Sequence, residues 1–360
     1  MEYLIRFTQW HETFRLAETQ AIAYLLKIDL KIISYNDEVS QEYPQHSHCS
    51  AWNRVEQQWQ PCLQELQSPY CIVWLPSEDA ARRLMERSIL AQSIHEHWAT
   101  AETWEGLHAA IRSDTVDWWP QYRDSSFKIS FDTYQGSRSS GRKRELIDSL
   151  SYLPFDGPIV MASPEQEFTA FEQWEWDSVP RGVPDPLRVH FGRLVARSAR
   201  DLVQTFDLKK RGYISTTSMD SELALVTANI ALAGPGRLFY DPFVGTGSFP
   251  VACARFGALG LGSDIDGRSV RGTGGKRSLR GNFRQYGLEH LLGDVFVCDL
   301  TNSPVRRARI LDGIVCDPPY GVREGLRVLG CRDVEKFANL VEKGKRTYKY
   351  VYMGNLTDLI

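Results

Sequence analysis

The feature that most restricts this chain is a pattern repeated through its last third: a short apolar run, an aspartate, then a helix-forming stretch. Apolar runs at residues 237–240, 260–263 and 295–298 are followed by Asp241, Asp264 and Asp299, and a fourth at 313–316 by Asp317. Runs this short, bounded by Gly, Pro and Asp, read as strands buried on both faces. Strands separated by helical stretches need crossovers, so they lie parallel in a doubly wound α/β sheet. Ligands of such sheets bind in the crevice at the carboxyl ends of the strands. One strand-end aspartate is an ordinary turn former, but several in succession at one sheet edge point to a shared site.

The chain has 360 residues, with 42% hydrophobic and 24% charged. That length suggests two or three domains, and the balance is that of a soluble globular protein. The longest apolar stretches, such as Cys71-Ile72-Val73-Trp74-Leu75, fall far short of the roughly 18 residues that suggest a membrane span. The first residues lack a basic region leading into an apolar stretch, so no secretory signal is read and a cytoplasmic location is expected. The seven cysteines are scattered with no Cys-x-x-Cys pair, which indicates neither a metal knuckle nor a disulfide framework. Cys298 and Cys316, each at the end of an apolar run, read as buried strand residues. A net charge of -3 does not announce a nucleic-acid binder. Positive charge is gathered locally in four basic clusters: Arg142-Lys143-Arg144, Lys209-Lys210-Arg211, the 276–284 segment, and Arg306, Arg307 and Arg309. Each alone reads as a solvated face, and together they make phosphate contact plausible.

Residues 1–200 read as an N-terminal α+β region, and 207–360 as a second domain. Strands are expected at 3–7, 31–35 and 71–75, with a helix at 11–30 and a polar, Gln-rich irregular insertion at 36–69. A helix at 77–90 takes Ser77 as its N-cap. A new unit is expected to begin near Trp118, with a half-buried strand at 127–131, a Gly/Ser/Arg loop at 135–141 and a helix at 142–150. Further strands follow at 158–161, 168–174 and 187–195. Residues 178–186, with three prolines, read as an irregular connection. A helix to Phe206 and an apolar helix at 221–232 precede the doubly wound part.

The segment Asp241-Pro242-Phe243-Val244-Gly245-Thr246-Gly247-Ser248-Phe249 turns from a strand into a helix. Gly245 and Gly247 let the backbone turn sharply, and the helix N-terminus presents free N–H groups to a carboxylate. Asp264-Ile265-Asp266 lies about 20 residues on, where a ribose-binding carboxylate is expected. Pro250 stands where a dinucleotide fingerprint wants its third glycine. That favours a smaller cofactor, with one nucleoside and a carboxylate.

Asp317-Pro318-Pro319-Tyr320 is the most specific signal. Two prolines fix φ and remove two backbone donors. The Asp317 carboxylate and the Pro318 carbonyl remain as acceptors, able to hold both N–H groups of an amino group. Tyr320 offers a ring on which a base can stack.

With the Asp-Pro-Phe-Val-Gly-Thr-Gly-Ser segment, this tetrapeptide resembles the class I amino-methyltransferases. The longer strings Thr217-Ser218-Met219-Asp220, Gly262-Ser263-Asp264-Ile265-Asp266-Gly267-Arg268 and Cys316-Asp317-Pro318-Pro319-Tyr320-Gly321-Val322-Arg323-Glu324 resemble the tRNA guanosine-10 N2-methyltransferase family. The stretch 127–200 is similar to that family's THUMP domain, an RNA-binding module that engages the tRNA acceptor end. The resemblance implies a Rossmann-like sheet and transfer of one methyl from S-adenosyl-L-methionine to guanine N2. It implies that Gly245, Gly247, Thr216, Thr217 and Ser218 hold the methionine part, Asp264 the ribose and Asp299 the adenine amino group. Asp241, Thr246 and Asp266 complete the expected cofactor-binding set, and Asp317, Pro318, Pro319 and Tyr320 grip the guanine. It further implies tRNA as substrate and a small zinc-containing activator subunit pairing along the third strand, at 295–300. Class I methyltransferases carry seven strands, and only 348–353 reads as a strand after the fourth. The expectation is therefore a truncated sheet, with the fourth strand at or near an open edge. Two other functions fit the same residues: adenine N6 methylation of a nucleic acid, and a catalytically inactive RNA-binding isoform.

Overall fold

A computed structural model describes residues 1–35, 68–273, 277–306, 308–319, 326–329 and 350–353. The chain divides into two compact units, Met1–Arg200 and Asp201–Ile360.

The first unit is built from β1 (Glu2–Phe7), α1 (Arg15–Leu26), β2 (Lys31–Ser34), β3 (Tyr70–Trp74), α2 (Glu78–Met85), β4 (Ala91–Ala101), α3 (Trp104–Asp114), β5 (Phe127–Tyr134), α4 (Ser140–Asp148), β6 (Gln166–Gln173) and β7 (Arg188–Arg197). Its strands form one sheet in the order β2-β3-β1-β4-β7-β6-β5. Only β5 and β6 pair in parallel; the other pairs are antiparallel. β1 sits deep in the sheet, and Tyr3, Leu4, Ile5 and Phe7 are fully buried. Ile22 of α1 and Leu84 of α2 pack on its outer half with Val73 and Leu75. Leu107 and Ile111 of α3 pack with Leu146 of α4, Trp98, Phe168 and Phe191 on the other half. Ser77 caps α2 as expected, accepting from the Ala80 N–H at 3.1 Å, though the helix stops at Met85.

The expected break near Trp118 is absent. β4 pairs with β1 on one side and with β7 on the other, so both halves share one sheet. β4 is hard to read because buried polar residues interrupt its apolar pattern. Glu96 is tolerated there because it accepts from Trp98 Nε1, the Tyr122 hydroxyl and Arg193 Nε. Residues 158–161 form no strand. They meet β5 at a single parallel bridge, and Ile159 is 71% exposed. Residues 178–186 hold one helical turn, Ser178–Arg181, instead of being irregular throughout. The expected insertion lies outside the described residues at 36–67, as do Lys276, Arg307 and Tyr320.

The second unit contains α5 (Ser221–Ile230), β8 (Leu238–Asp241), α6 (Ser248–Arg255), β9 (Leu259–Asp264), α7 (Leu279–Gln285), β10 (Leu292–Val297) and β11 (Gly313–Ile314). The four strands are parallel throughout, in the order β10-β9-β8-β11. Helices between parallel strands supply the crossovers that the sequence pattern requires. β11 is shorter than expected: Cys316 lies beyond it and is only half-buried, whereas Cys298 is buried just past β10. β12 (Leu326–Leu329) pairs antiparallel with β13 (Tyr350–Met353) in a separate two-stranded sheet. Thus 348–353 is not the only strand after the fourth. Among the described residues, no helix is long and apolar enough to cross a membrane.

Candidate active site

The turn after β8 is shaped from below by Asp241, which is only 3% exposed. Its Oδ1 accepts from the Phe243 N–H at 2.9 Å, bending the chain just past the strand. The Val244 N–H then donates to the Ser263 carbonyl at 2.8 Å, tying the turn to β9. Gly262 lets β9 come this close, since a Cβ there would lie 2.5 Å from Val244 Cγ2. Gly245 and Gly247 both have positive φ, +48° and +87°. A side chain at Gly247 would strike Leu279, whereas a Cβ at Gly245 would meet nothing nearer than the Phe243 carbonyl, at 3.9 Å. The open side of the turn is where a ligand can approach the backbone.

Asp264, at the end of β9, accepts from the Gly245 N–H at 3.0 Å and from the Asp266 N–H at 2.8 Å. Asp266 caps the short helix Gly267–Arg271 through the Arg268 N–H at 2.9 Å and pairs with the Arg268 guanidinium at 2.7 Å. Asp299 is buried two residues beyond β10. The ladder between β10 and β9 continues toward it through the Cys298 N–H, which donates to the Asp264 carbonyl at 3.0 Å. Thr216 and Thr217 are exposed and Ser218 is half-buried. The Ser218 hydroxyl lies 2.7 Å from that of Thr246, so this segment reaches the glycine turn.

Asp317 follows β11 and is exposed, with Pro318 and Pro319 half-buried behind it. The Val315 N–H donates to the Tyr240 carbonyl at 3.1 Å, extending the β11–β8 pairing toward Asp241. The electrostatics report the same neighbourhood. Burial pushes the Asp241 carboxyl up to about 7, and the charges of Asp264 and Asp317 push in the same direction against the Phe243 N–H bond. Burial, followed by the charges of Asp241 and Asp317, pushes the Cys316 thiol up to about 11. The structure therefore brings together Asp241, Gly245, Asp264 and Asp317 at one sheet edge.

Two residues of this unit were invisible in the sequence. Arg211, expected on a solvated face, is buried; its guanidinium donates to the Ser248 hydroxyl at 3.0 Å and lies over the Tyr286 ring. Asn282 of α7 is fully buried and reaches both Tyr213 and Thr246. Nothing in an Asn between Gly and Phe announces either bond.

The first unit has a cleft of about 1060 Å³ whose lining includes Trp104, Trp174, Trp176, Arg138, Arg142 and Arg181. The buried Glu172 accepts from Trp104 Nε1 at 2.8 Å, Trp174 Nε1 at 3.0 Å and Arg138 Nε at 3.3 Å. Arg138 in turn lies over the Trp174 ring at 4.6 Å. The Tyr70 hydroxyl and His190 Nε2, both buried, have no partner among the described residues. Burial, with the charges of His97 and Arg188, lowers His190 to about 3, so its ring is neutral.

Residues 1–43 and 54–200 match the family described as Tmrp11 THUMP N-terminal domain, and residues 209–328 match the RMKL-like methyltransferase domain. The chain is 38% identical to the tRNA (guanine(10)-N(2))-methyltransferase of Saccharomyces cerevisiae, over 93% of this chain and 71% of that protein. The Schizosaccharomyces pombe enzyme of the same name is 37% identical over 90% of this chain and 69% of its own length. The human relative is 36% identical over 81% of this chain and 66% of its own. The chain belongs to the tRNA (guanine(10)-N(2))-methyltransferase family. In this member the methyltransferase match takes in β8 to β11 with every strand-end aspartate, and the THUMP match takes in the whole arginine and tryptophan cleft.

Proposed function

We propose that this chain transfers a methyl group from S-adenosyl-L-methionine to the exocyclic N2 of guanosine 10 in tRNA. The observation that carries the reading is the shared edge: the proline-locked Asp317 tip stands beside the buried Asp241, near the open Gly245 turn and Asp264. The residues fit the cofactor. The turn leaves room beside Gly245, and Asp264, at the end of β9, places a carboxylate against that same turn. Gly245, Thr246 and Gly247 would hold the methionine part with Thr216, Thr217 and Ser218. Asp264 would take the ribose hydroxyls and Asp299 the adenine amino group. Asp241 and Asp266 support the loops: the first bends the turn, and the second caps the helix that follows β9. When bound, the cofactor supplies a methyl on a sulfonium, already a good leaving group.

The chain's own task is then orientation. Asp317 and the Pro318 carbonyl accept the two N–H groups and so aim the nitrogen lone pair. The Asp317 carboxylate also offsets the positive charge that grows on nitrogen. Tyr320 would stack on the base, which must leave its helix to arrive there. The exposed Trp176, Arg142 and Arg181 of the N-terminal cleft suit unpaired RNA, through stacking and phosphate contact. Val297 and Leu300, each 46% exposed at the β10 edge, suit cover by a small zinc-containing activator subunit. The reaction would take place in the cytoplasm.

Methyl transfer to bulk tRNA, with and without such a subunit, tests the reading by nucleoside analysis. N2-methylguanosine at position 10 is expected. N6-methyladenosine as the product would refute the choice of base, and no transfer in either condition would favour the inactive RNA-binding alternative.

A further inference from the structure

Asn282 occupies a position that packing alone would give to leucine. It lies on the inner face of α7 between Leu279 and Phe283, and all three are 0% exposed. A buried amide must spend its hydrogen-bonding groups on the protein. Asn282 Oδ1 accepts from the Tyr213 N–H at 3.0 Å, and Nδ2 donates to the Tyr213 carbonyl at 2.7 Å. One side chain thus holds both backbone groups of Tyr213, as a neighbouring strand would. Nδ2 also donates to the Thr246 carbonyl at 3.0 Å, between the two turn glycines.

Those two backbone sites belong to the two halves of the proposed cofactor crevice. Tyr213 stands three residues before Thr216, and Thr246 is part of the glycine turn. Direct side-chain links between the two stretches are the bonds from Ser218 to Thr246 and from Arg211 to Ser248. Gln285, one helical turn on, reinforces the grip: it accepts from the Gly212 N–H at 2.8 Å and donates to the Lys210 carbonyl at 2.7 Å. The Tyr213 hydroxyl donates to the Ser269 carbonyl at 3.0 Å, anchoring the far side of the segment.

We infer that Asn282 is a positioning residue that sets the spacing between the Thr216–Ser218 segment and the glycine turn, and so governs cofactor affinity without touching the methyl acceptor. The inference rests on the cofactor reading above. It separates binding from chemistry, because none of Asn282's bonds reaches β11 or Asp317.

The test uses the full chain and titrates S-adenosyl-L-methionine calorimetrically into wild type, Asn282→Ala, Asn282→Asp and Phe283→Leu, alongside steady-state transfer to tRNA. Asn282→Asp keeps the shape and the acceptance from Tyr213 but loses both donated bonds, so it serves if the alanine variant does not fold. Phe283→Leu disturbs packing on the same helix without touching the tether. The Asn282 variants should raise Kd and KM for the cofactor about tenfold or more, with kcat at saturating cofactor and KM for tRNA within about twofold. Phe283→Leu should leave Kd within about twofold at a comparable loss of thermal midpoint. Equal weakening by Phe283→Leu, unchanged affinity in the Asn282 variants, or a loss confined to kcat would each overturn the assignment. Failure of wild type to bind the cofactor would be a different result, removing the cofactor reading itself.

Discussion

Replacing Asp241 by Asn should abolish a pH dependence that separates S-adenosylmethionine from S-adenosylhomocysteine. The Asp241 carboxyl is raised from 3.8 to about 7, first by burial and then by the Asp264 and Asp317 charges. A raised value means that the folded, ligand-free chain holds a proton there below neutrality and gives it up as pH rises through 7. A sulfonium bound at this edge brings a positive charge and favours the ionised carboxylate; the neutral sulfur of the product does not. If the sulfonium ligand needs the ionised form, its affinity scales as the ionised fraction. That fraction is about 10% at pH 6 and about 90% at pH 8, so affinity climbs up to about tenfold, or about 1.4 kcal/mol, and then levels off. The assay is calorimetric titration of both ligands at pH 6, 7 and 8 in wild type and Asp241→Asn. Groups common to the two ligands cancel in their ratio. The ratio should rise with pH in wild type and stay flat in the variant. A flat ratio in wild type, or a rise that survives the substitution, would refute the coupling between Asp241 and the sulfonium.

Three further outcomes follow from the geometry. Asp317→Ala should reduce methyl transfer by about a hundredfold or more while leaving cofactor affinity within about twofold, as expected when an oriented carboxylate is removed from the reacting centre; single-turnover transfer with calorimetry checks both halves. Trp176→Ala, which removes the 52% exposed tryptophan of the cleft, should weaken tRNA binding by about 1–3 kcal/mol with cofactor affinity untouched, the size of one base stacked on an aromatic ring, measured by filter binding at fixed salt. Glu96→Gln should lower the stability of the N-terminal unit by about 1–3 kcal/mol, because the buried Arg193 guanidinium then keeps only Glu78, at 2.6 Å, as a charged partner; urea unfolding followed by tryptophan fluorescence would show an earlier transition.

The legibility of this chain divides along a physical line. Strands buried on both faces need no alternation, so β8 and β9 appear in the sequence as plain apolar runs, and the glycines and prolines that follow strands announce unusual backbone directly. Gly245 and Gly247, both in the left-handed region, and the Pro318-Pro319 pair are of this kind. What stays hidden is polarity that becomes buried only through distant partners. β4 escaped because Glu96 looks like a surface residue until Arg193, Tyr122 and Trp98 are brought to it, and His95 until it meets Ser93 and the Phe171 ring; without β4 a false boundary arises near Trp118. Arg211 and Asn282 escaped for the same reason: an arginine at the end of a basic run and an asparagine inside a helix carry no local sign of burial. The backbone of the site is thus readable from residue type, whereas the side chains that hold its two strips together belong to tertiary context. A substitution scan confined to the glycine turn and the Asp-Pro-Pro-Tyr tip would find the surfaces that meet ligands and miss Asn282, the joint that keeps one of those surfaces in register.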